Sequence, residues 1–308
     1  MRPEIDLKHV ALWHLNSACN YNCRYCFGHT RVENPDVGKF SPQEIASNFD
    51  RTGFVWWIGL SGGEPFLYPE FEQLVNELTR KHFVYIDTNL SCDITKFLNI
   101  IDPSRIVYLN CAFHIEVVES RKNLDIFLHK VMSLREKGFS LILSSVAHPT
   151  LLGKLEKYIS LFKSYGLILQ PKIFLGRYKN SFFSKTKYYP QAFTDKQRLQ
   201  IKDCLSDKIS SELLYGRPSY KGKNCLAGKN FIRILDNGDV HRCVAENTSM
   251  GNIFKGELKL FSESSPCMLD YCRCSLMTYI NVVEGIPNYR EELSRVIHLN
   301  DIETVKTL

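Results

Sequence analysis

The chain lacks any apolar run long enough to cross a bilayer. Its most apolar local stretch, FVWWIGL at 54–60, is far too short. The N-terminus, MRPEIDLKHV, lacks the apolar core of a signal peptide. There is no internal repeat and no low-complexity tract, which sets aside solenoids and disordered linkers. No basic stripe or arginine-rich tract accompanies the formal net charge of +6. That excess suits an anionic substrate but is not a nucleic-acid footprint. These absences predict a soluble cytoplasmic protein with no nucleic-acid or membrane partner. What is present is 308 residues, 44% hydrophobic and 23% charged, enough for one large core or one core plus a smaller one. There are also 11 cysteines, an odd number, and several are clustered. In a reducing compartment, clustered thiols point to metal rather than to disulfides.

Strand-like and helix-like segments alternate over the first 175 or so residues. HVALWHLN (9–16) reads as a strand running into a cysteine cluster. Ser41 and Glu44 stand in capping-box spacing, so a helix starts there. Further strands are predicted at 54–60, 84–90, 105–113, 140–147 and 167–175, with helices at 68–81, 93–101, 123–138 and 151–166. Near-continuous apolar strands between helices imply an α/β fold with a parallel sheet, here a partial (β/α)6 TIM-like barrel. The chemistry of such folds sits at the C-terminal ends of the strands. We divide the chain into a barrel at 1–176 and a small cysteine-rich β-hairpin/helix domain at 177–308. The second part opens on a polar, aromatic linking loop carrying Tyr178, Lys187, Tyr188 and Tyr189. A helix at 194–216 follows, then a hairpin, FIRIL–DNGD–VHRC, with Asn237-Gly238 at its tip.

Cys19, Cys23 and Cys26 fall within CNYNCRYCF, directly after the first strand. Thiolates suit iron–sulfur clusters or zinc. A structural zinc takes four ligands and this motif offers three; His29 is the nearest histidine that would complete a zinc site. The Cys-x3-Cys-x2-Cys spacing, with an aromatic before the last cysteine, resembles the radical S-adenosylmethionine (radical SAM) enzymes. The resemblance implies a four-iron four-sulfur cluster held by Cys19, Cys23 and Cys26, with S-adenosylmethionine chelating the fourth iron. Reductive cleavage then gives a 5′-deoxyadenosyl radical that abstracts hydrogen. A second motif agrees. LSGGEPFL ends the second strand, so Ser61, Gly62, Gly63, Glu64 and Pro65 match the family's GGEP motif, which implies binding of the methionine amino group. By position, Thr88 and Asn89, Asn110, His114 and Glu116, and Ser144, Ser145 and His148 close strands three to five. They are candidates to face the cofactor or the substrate, with Asn89, Asn110 and Ser144 taken as cofactor contacts and His114 as the foremost catalytic candidate. Tyr25 and Phe27 are expected to flank the adenine.

Downstream lie Cys225, Cys243, Cys267, Cys272 and Cys274. A hairpin brings its ends together, so Cys225 and Cys243 meet in space, and PCMLDYCRC offers three more thiols. On chemistry alone zinc fits as well as iron–sulfur. The arrangement resembles the twitch (truncated SPASM) extension of radical SAM enzymes. That resemblance implies an auxiliary four-iron four-sulfur cluster on Cys225, Cys243, Cys272 and Cys274, with Cys267 as the spare thiol or in place of either of the last two. Cys92, Cys111 and Cys204 read as small buried hydrophobes. Cys204 or Cys267 is a candidate to return hydrogen to a substrate radical, as in epimerases of this layout.

The expected activity is therefore that of a radical SAM oxidoreductase or epimerase. It would act on a small polar molecule such as a sugar or aminocyclitol and draw electrons from a flavodoxin or ferredoxin. The small-molecule expectation rests on the short segment before the first strand, which leaves no room for a peptide-recognition domain. Peptide maturation is the alternative substrate class. The non-enzyme alternative is a zinc-binding interaction module.

Overall fold

The computed structural model describes residues 9–26, 34–179, 185–205, 207–272 and 290–301. The expected barrel strands are β1 (His9–Asn16), β2 (Trp56–Gly62), β3 (Phe83–Thr88), β4 (Ile106–Ala112), β5 (Leu141–Ala147) and β6 (Leu169–Ile173). They pair in sequence order, all parallel. Helices α1 (Pro42–Asp50), α2 (Phe71–Thr79), α3 (Thr95–Ile100), α5 (Leu124–Glu136) and α6 (Leu152–Ser164) lie between them. The Ser41 side chain and Glu44 close the predicted capping box on α1. One helix was not predicted: α4 (Ile115–Arg121), directly after β4.

Alternation along the strands sorts the side chains onto two faces. Ala11, Trp13, Ile58, Leu60, Val84, Ile86, Leu109 and Leu143 point outward and pack against Phe49, Leu74, Leu78, Phe97, Val131 and Phe162 of the helices. Full burial of a side chain such as Phe49 or Leu74 contributes about 1.5–3 kcal/mol. The inward face carries Val10, Trp57, Tyr85, Tyr108 and Ile142. Gly59 is glycine because a Cβ there would collide with the Tyr85 ring.

Beyond β6 the chain forms a ribbon, β7 (Arg177–Tyr178) and β8 (Lys187–Tyr188). The helix expected at 194–216 is two helices, α7 (Asp195–Lys202) and α8 (Lys208–Leu213). Asp207 starts the second by accepting from Ser210 N at 2.7 Å, a cap that breaks the continuous reading. Then come β9 (Asn224–Cys225), the hairpin β10 (Phe231–Ile234) and β11 (Asp239–His241), β12 (Ser249–Asn252), β13 (Ser265–Pro266) and α9 (Arg290–Ile297). The predicted hairpin is present, and it joins the barrel's own sheet. Strand β10 runs parallel to β1, Val10 opposite Phe231, and the nine-stranded order is β12-β11-β10-β1-β2-β3-β4-β5-β6. Tyr220, Cys225, Ala227, Leu293, Val296 and Ile297 pack on the barrel's inward face. Asn300, 1% exposed, ties this segment to the bottom of β5 and β6 through Ile168 N and the Leu141 and Ile168 carbonyls. Among the described residues, no helix is long and apolar enough to cross a membrane.

Candidate active site

The first cysteine loop leaves the C-terminal end of β1. Cys26 N donates to Cys23 O at 2.9 Å, a turn that brings residues 23 and 26 together. The unpredicted helix α4 holds the loop. The Arg24 guanidinium makes a two-pronged ion pair with Glu116. Arg121 donates to the Asn20 carbonyl at 2.6 Å and lies 4.7 Å from the Tyr21 ring centroid. Tyr25 Oη is hydrogen-bonded to His114 Nδ1 at 3.1 Å. From the other side, Asn89 Nδ2 reaches Cys19 Sγ at 3.8 Å and Asn20 Oδ1 at 3.1 Å. Burial pushes the Cys19 thiol up, and pushes Cys23 up to about 12, with the neighbouring thiols adding to both. A cationic metal centre reverses that preference for Cys19 and Cys23.

The SGGEP segment sits against this loop. Gly63 N donates to Asn16 O at 2.8 Å and Glu64 N to Ala18 O at 2.7 Å. Gly62 has φ +135°, and a Cβ on it or on Gly63 would strike the Asn16 or Ala18 carbonyl. The two glycines thus let the end of β2 close on residues 16–18. Ser61 Oγ donates to Trp13 O at 3.4 Å, and Pro65 opens a single helical turn. Glu64 is 0% exposed. Its carboxylate accepts from Thr88 Oγ1 at 2.6 Å, Asn89 N at 2.7 Å and Phe66 N at 3.3 Å. The carboxylate expected to meet an ammonium is therefore turned inward as a clamp between β2 and β3. Burial raises it to about 7 against the pull of those donors and of Lys130. Lys130 itself donates to the Leu90, Ser91 and Cys92 carbonyls, stabilising the bend at Leu90, φ +57°.

A polar layer lines the inward face above the aromatic one. Ser144 Oγ donates to Asn110 Oδ1 at 2.7 Å, and Asn110 Nδ2 to Asp87 Oδ1 at 2.7 Å, a directed relay across β5, β4 and β3. Ser145 instead binds the Phe113 carbonyl. Histidines gather on Tyr25. His114 stacks at 6.0 Å and His148 lies at 5.7 Å. Burial lowers both imidazoles to about 4, so both are neutral near pH 7. Asp87, Arg24, Arg121, Lys130 and Lys172 were missed by the sequence reading. A lone charge inside an apolar strand was the signal for Asp87. Phe27, His29 and Cys274 lie outside the described residues.

The second cysteine group forms on the β9–β13 ribbon. Ser265 faces Cys225, and Cys267 N donates to Lys223 O at 2.9 Å, so Cys267 shares the face of Cys225. Cys243, Cys267 and Cys272 pack on the same apolar cluster as Cys225. Burial pushes Cys225 up to about 11, Arg242 opposes this, and Cys267 and Cys272 add to it. Cys267, the expected spare, thus stands among the candidate ligands. Arg242 is 4% exposed and fastens the ribbon, donating to the Ala227, Ser265 and Pro266 carbonyls and to Glu246. Cys204 is elsewhere: at the end of α7, it has Glu156 on the exposed face of α6 as a charged neighbour. Cys111 is core, and Cys92 lies beside Asn20, 3.8 Å from Nδ2. Among the described residues, no three His, Cys, Asp or Glu side chains converge as a single metal ion requires.

The fold is a parallel-stranded partial barrel that presents a three-cysteine loop and a glycine pair at the C-terminal ends of its strands. Residues 14–146 match the model of the radical SAM superfamily. A 63-residue stretch is 38% identical to an S-adenosylmethionine-dependent nucleotide dehydratase of Selenomonas ruminantium, covering 20% of this chain and 23% of that protein. Among solved structures, Streptococcus suis SuiB bound to S-adenosylmethionine superposes with TM-score 0.54 at 14% identity, over 81% of this chain and 64% of that one. The protein anSMEcpe with bound AdoMet and Kp18Cys peptide superposes with TM-score 0.55 at 13% identity, over 82% and 80%. At these identities the likeness establishes the mixed α/β fold with its parallel six-stranded sheet.

Proposed function

We propose that the chain is a radical SAM enzyme that oxidises a small polar substrate. The observation that carries this reading is the cysteine loop, fixed by Glu116, Arg121 and His114 on one side and by Asn89 on the other, above an inward-facing polar layer. Cys19, Cys23 and Cys26 would hold a four-iron four-sulfur cluster; three thiols on one short loop, with Cys19 and Cys23 raised by burial, fit such a soft cationic group. With S-adenosylmethionine bound, that group supplies hydrogen abstraction by a 5′-deoxyadenosyl radical.

The chain's own residues do the rest. Glu64 locks the ends of β2 and β3, the Ser144–Asn110–Asp87 relay orients acceptors inward, and Tyr25 with the neutral His114 and His148 walls the mouth. Cys225, Cys243, Cys267 and Cys272 are proposed ligands of a second iron–sulfur centre, with Cys274 as the fifth candidate. Oxidation is favoured over epimerisation because Cys267 sits among these thiols and Cys204 lies on the outer layer. The nucleotide dehydratase similarity supports a small-molecule substrate, and a flavodoxin or ferredoxin is the proposed electron source.

The test is anaerobic reconstitution with iron and sulfide. Wild type should hold about eight irons and the Cys19→Ala, Cys23→Ala, Cys26→Ala variant about four. Only wild type should form 5′-deoxyadenosine from S-adenosylmethionine and dithionite. No iron and no cleavage would overturn the reading.

A further inference from the structure

Strand β6 sets Gln170 opposite Ser144 and Lys172 opposite Val146. Alternation puts Gln170 and Lys172 on the inward face with Ser144, and Lys172 is the exposed one, at the open end. Its charge reaches His114 and helps keep that imidazole neutral. The β7–β8 ribbon follows, Arg177 opposite Tyr188 and Tyr178 opposite Lys187. The ribbon is anchored at the mouth: the Tyr178 ring meets His148 at 4.5 Å, and His148 meets Tyr25 at 5.7 Å. It therefore stands two ring contacts from the loop between Cys23 and Cys26. From Gly176 to Thr194 the sequence holds Arg177, Lys179, Lys185 and Lys187 and no Asp or Glu. A second observation points to a ligand. His148 is 0% exposed and its Nδ1 is taken by Thr150 Oγ1 at 2.9 Å, whereas its buried Nε2 has no partner among the described residues. A buried imidazole nitrogen left open at an aromatic-walled mouth is completed by a polar group from outside.

Tyr178 and Lys187 share the face of the ribbon turned to His148. We propose that the barrel mouth binds a phosphorylated small molecule, its phosphate held by Lys172 and Lys187 and its polar body reaching His148 Nε2. Cations on a low-dielectric rim focus their field on the opening and make charge-assisted hydrogen bonds to phosphate oxygens. This deepens the reading above, which supplies the place of reaction, by naming the substrate class.

Holoenzyme with S-adenosylmethionine is titrated by equilibrium dialysis with cytidine triphosphate, glucose 6-phosphate and pyrophosphate, and with cytidine and glucose as uncharged arms. Phosphorylated probes should bind more tightly than their uncharged counterparts. The Lys172→Ala, Lys187→Ala variant should lose about tenfold or more of that affinity. Binding should weaken as salt rises. Lys172→Glu alone should act in the same direction, and Lys163→Ala on the exposed side of α6 should not. Tight binding of the nucleotide alone or of the sugar phosphate alone supports the proposal and names the source. Equal binding of charged and uncharged probes, or no change in the variants, overturns it. Iron content and 5′-deoxyadenosine formation on the same samples test the radical reading separately.

Discussion

The two cysteine groups are held in opposite ways. Around Cys19, Cys23 and Cys26 the scaffold is side chains from distant elements: Glu116 and Arg121 of α4, His114 before it, Asn89 after β3. Cys19 and Cys26 stay exposed. Around Cys225, Cys243, Cys267 and Cys272 the scaffold is backbone, a two-residue ribbon pinned by one buried arginine, and the thiols sink into the apolar lining of the barrel. A loop braced from outside keeps an open side for a reacting molecule. A ribbon packed against a core leaves its thiols at most partly exposed, which suits a site closed by its own ligands.

The sharpest way to break this contrast is Arg242→Met. It should cost about 3 kcal/mol, because three carbonyls lose a buried donor and the part-exposed Glu246 loses its ion partner. Thermal melts and iron counts would read it: under the proposed two-centre reading, iron on Cys225, Cys243, Cys267 and Cys272 should be lost while that on the first loop stays. Loss of both would erase the distinction.

Next is Glu64→Gln, expected to cost about 1–2 kcal/mol. Its pH dependence sharpens the point. The folded carboxyl sits at about 7, above its ordinary 4.5. The native state therefore holds the extra proton between those values, and this group's contribution to stability falls as pH rises through that window. The glutamine variant should lose that slope in melts at pH 5 and pH 7.

His148→Gln tests the opposite sign. Its folded value of about 4 lies below the ordinary 6.5. The unfolded state takes up the proton first, so stability falls as pH drops from 6.5 toward 4. The variant should show a shallower acid limb.

The smallest stability effect belongs to Arg24→Glu and Glu116→Arg. An exposed pair is worth only about 0.5–1 kcal/mol. Either single change should nonetheless speed iron loss to a chelator, and the double reversal should restore retention. No rescue would mean that the ion pair does not brace the loop.

Much of the fold was legible because strand alternation and capping are local signals. The six parallel strands, the Ser41 cap and the hairpin tip at Gly238 follow from neighbours a few residues apart. Helix α4 was not legible. Its seven residues include Val117 and Val118, poor helix formers, and its hold comes from Ile115 and Val118 buried below and from the cysteine loop beside it. The two cysteine loops and the glycine pair could be read from spacing. The inward turn of Glu64 could not, because Thr88 and Asn89 reach it only once β2 and β3 pair. The place of Cys267 was hidden for the same reason: it depends on the register of β9 with β13.

The pairing of β10 with β1 has a consequence for biosynthesis. Val10 emerges from the ribosome about 220 residues before its partner Phe231. Until then one flank of the nascent sheet presents unpaired amides and carbonyls beside Ala11 and Trp13, a template for strand addition from another chain. Fragments that stop short of the hairpin should therefore self-associate, so the C-terminal third acts as the barrel's guard against aggregation as well as the bearer of its second set of thiols.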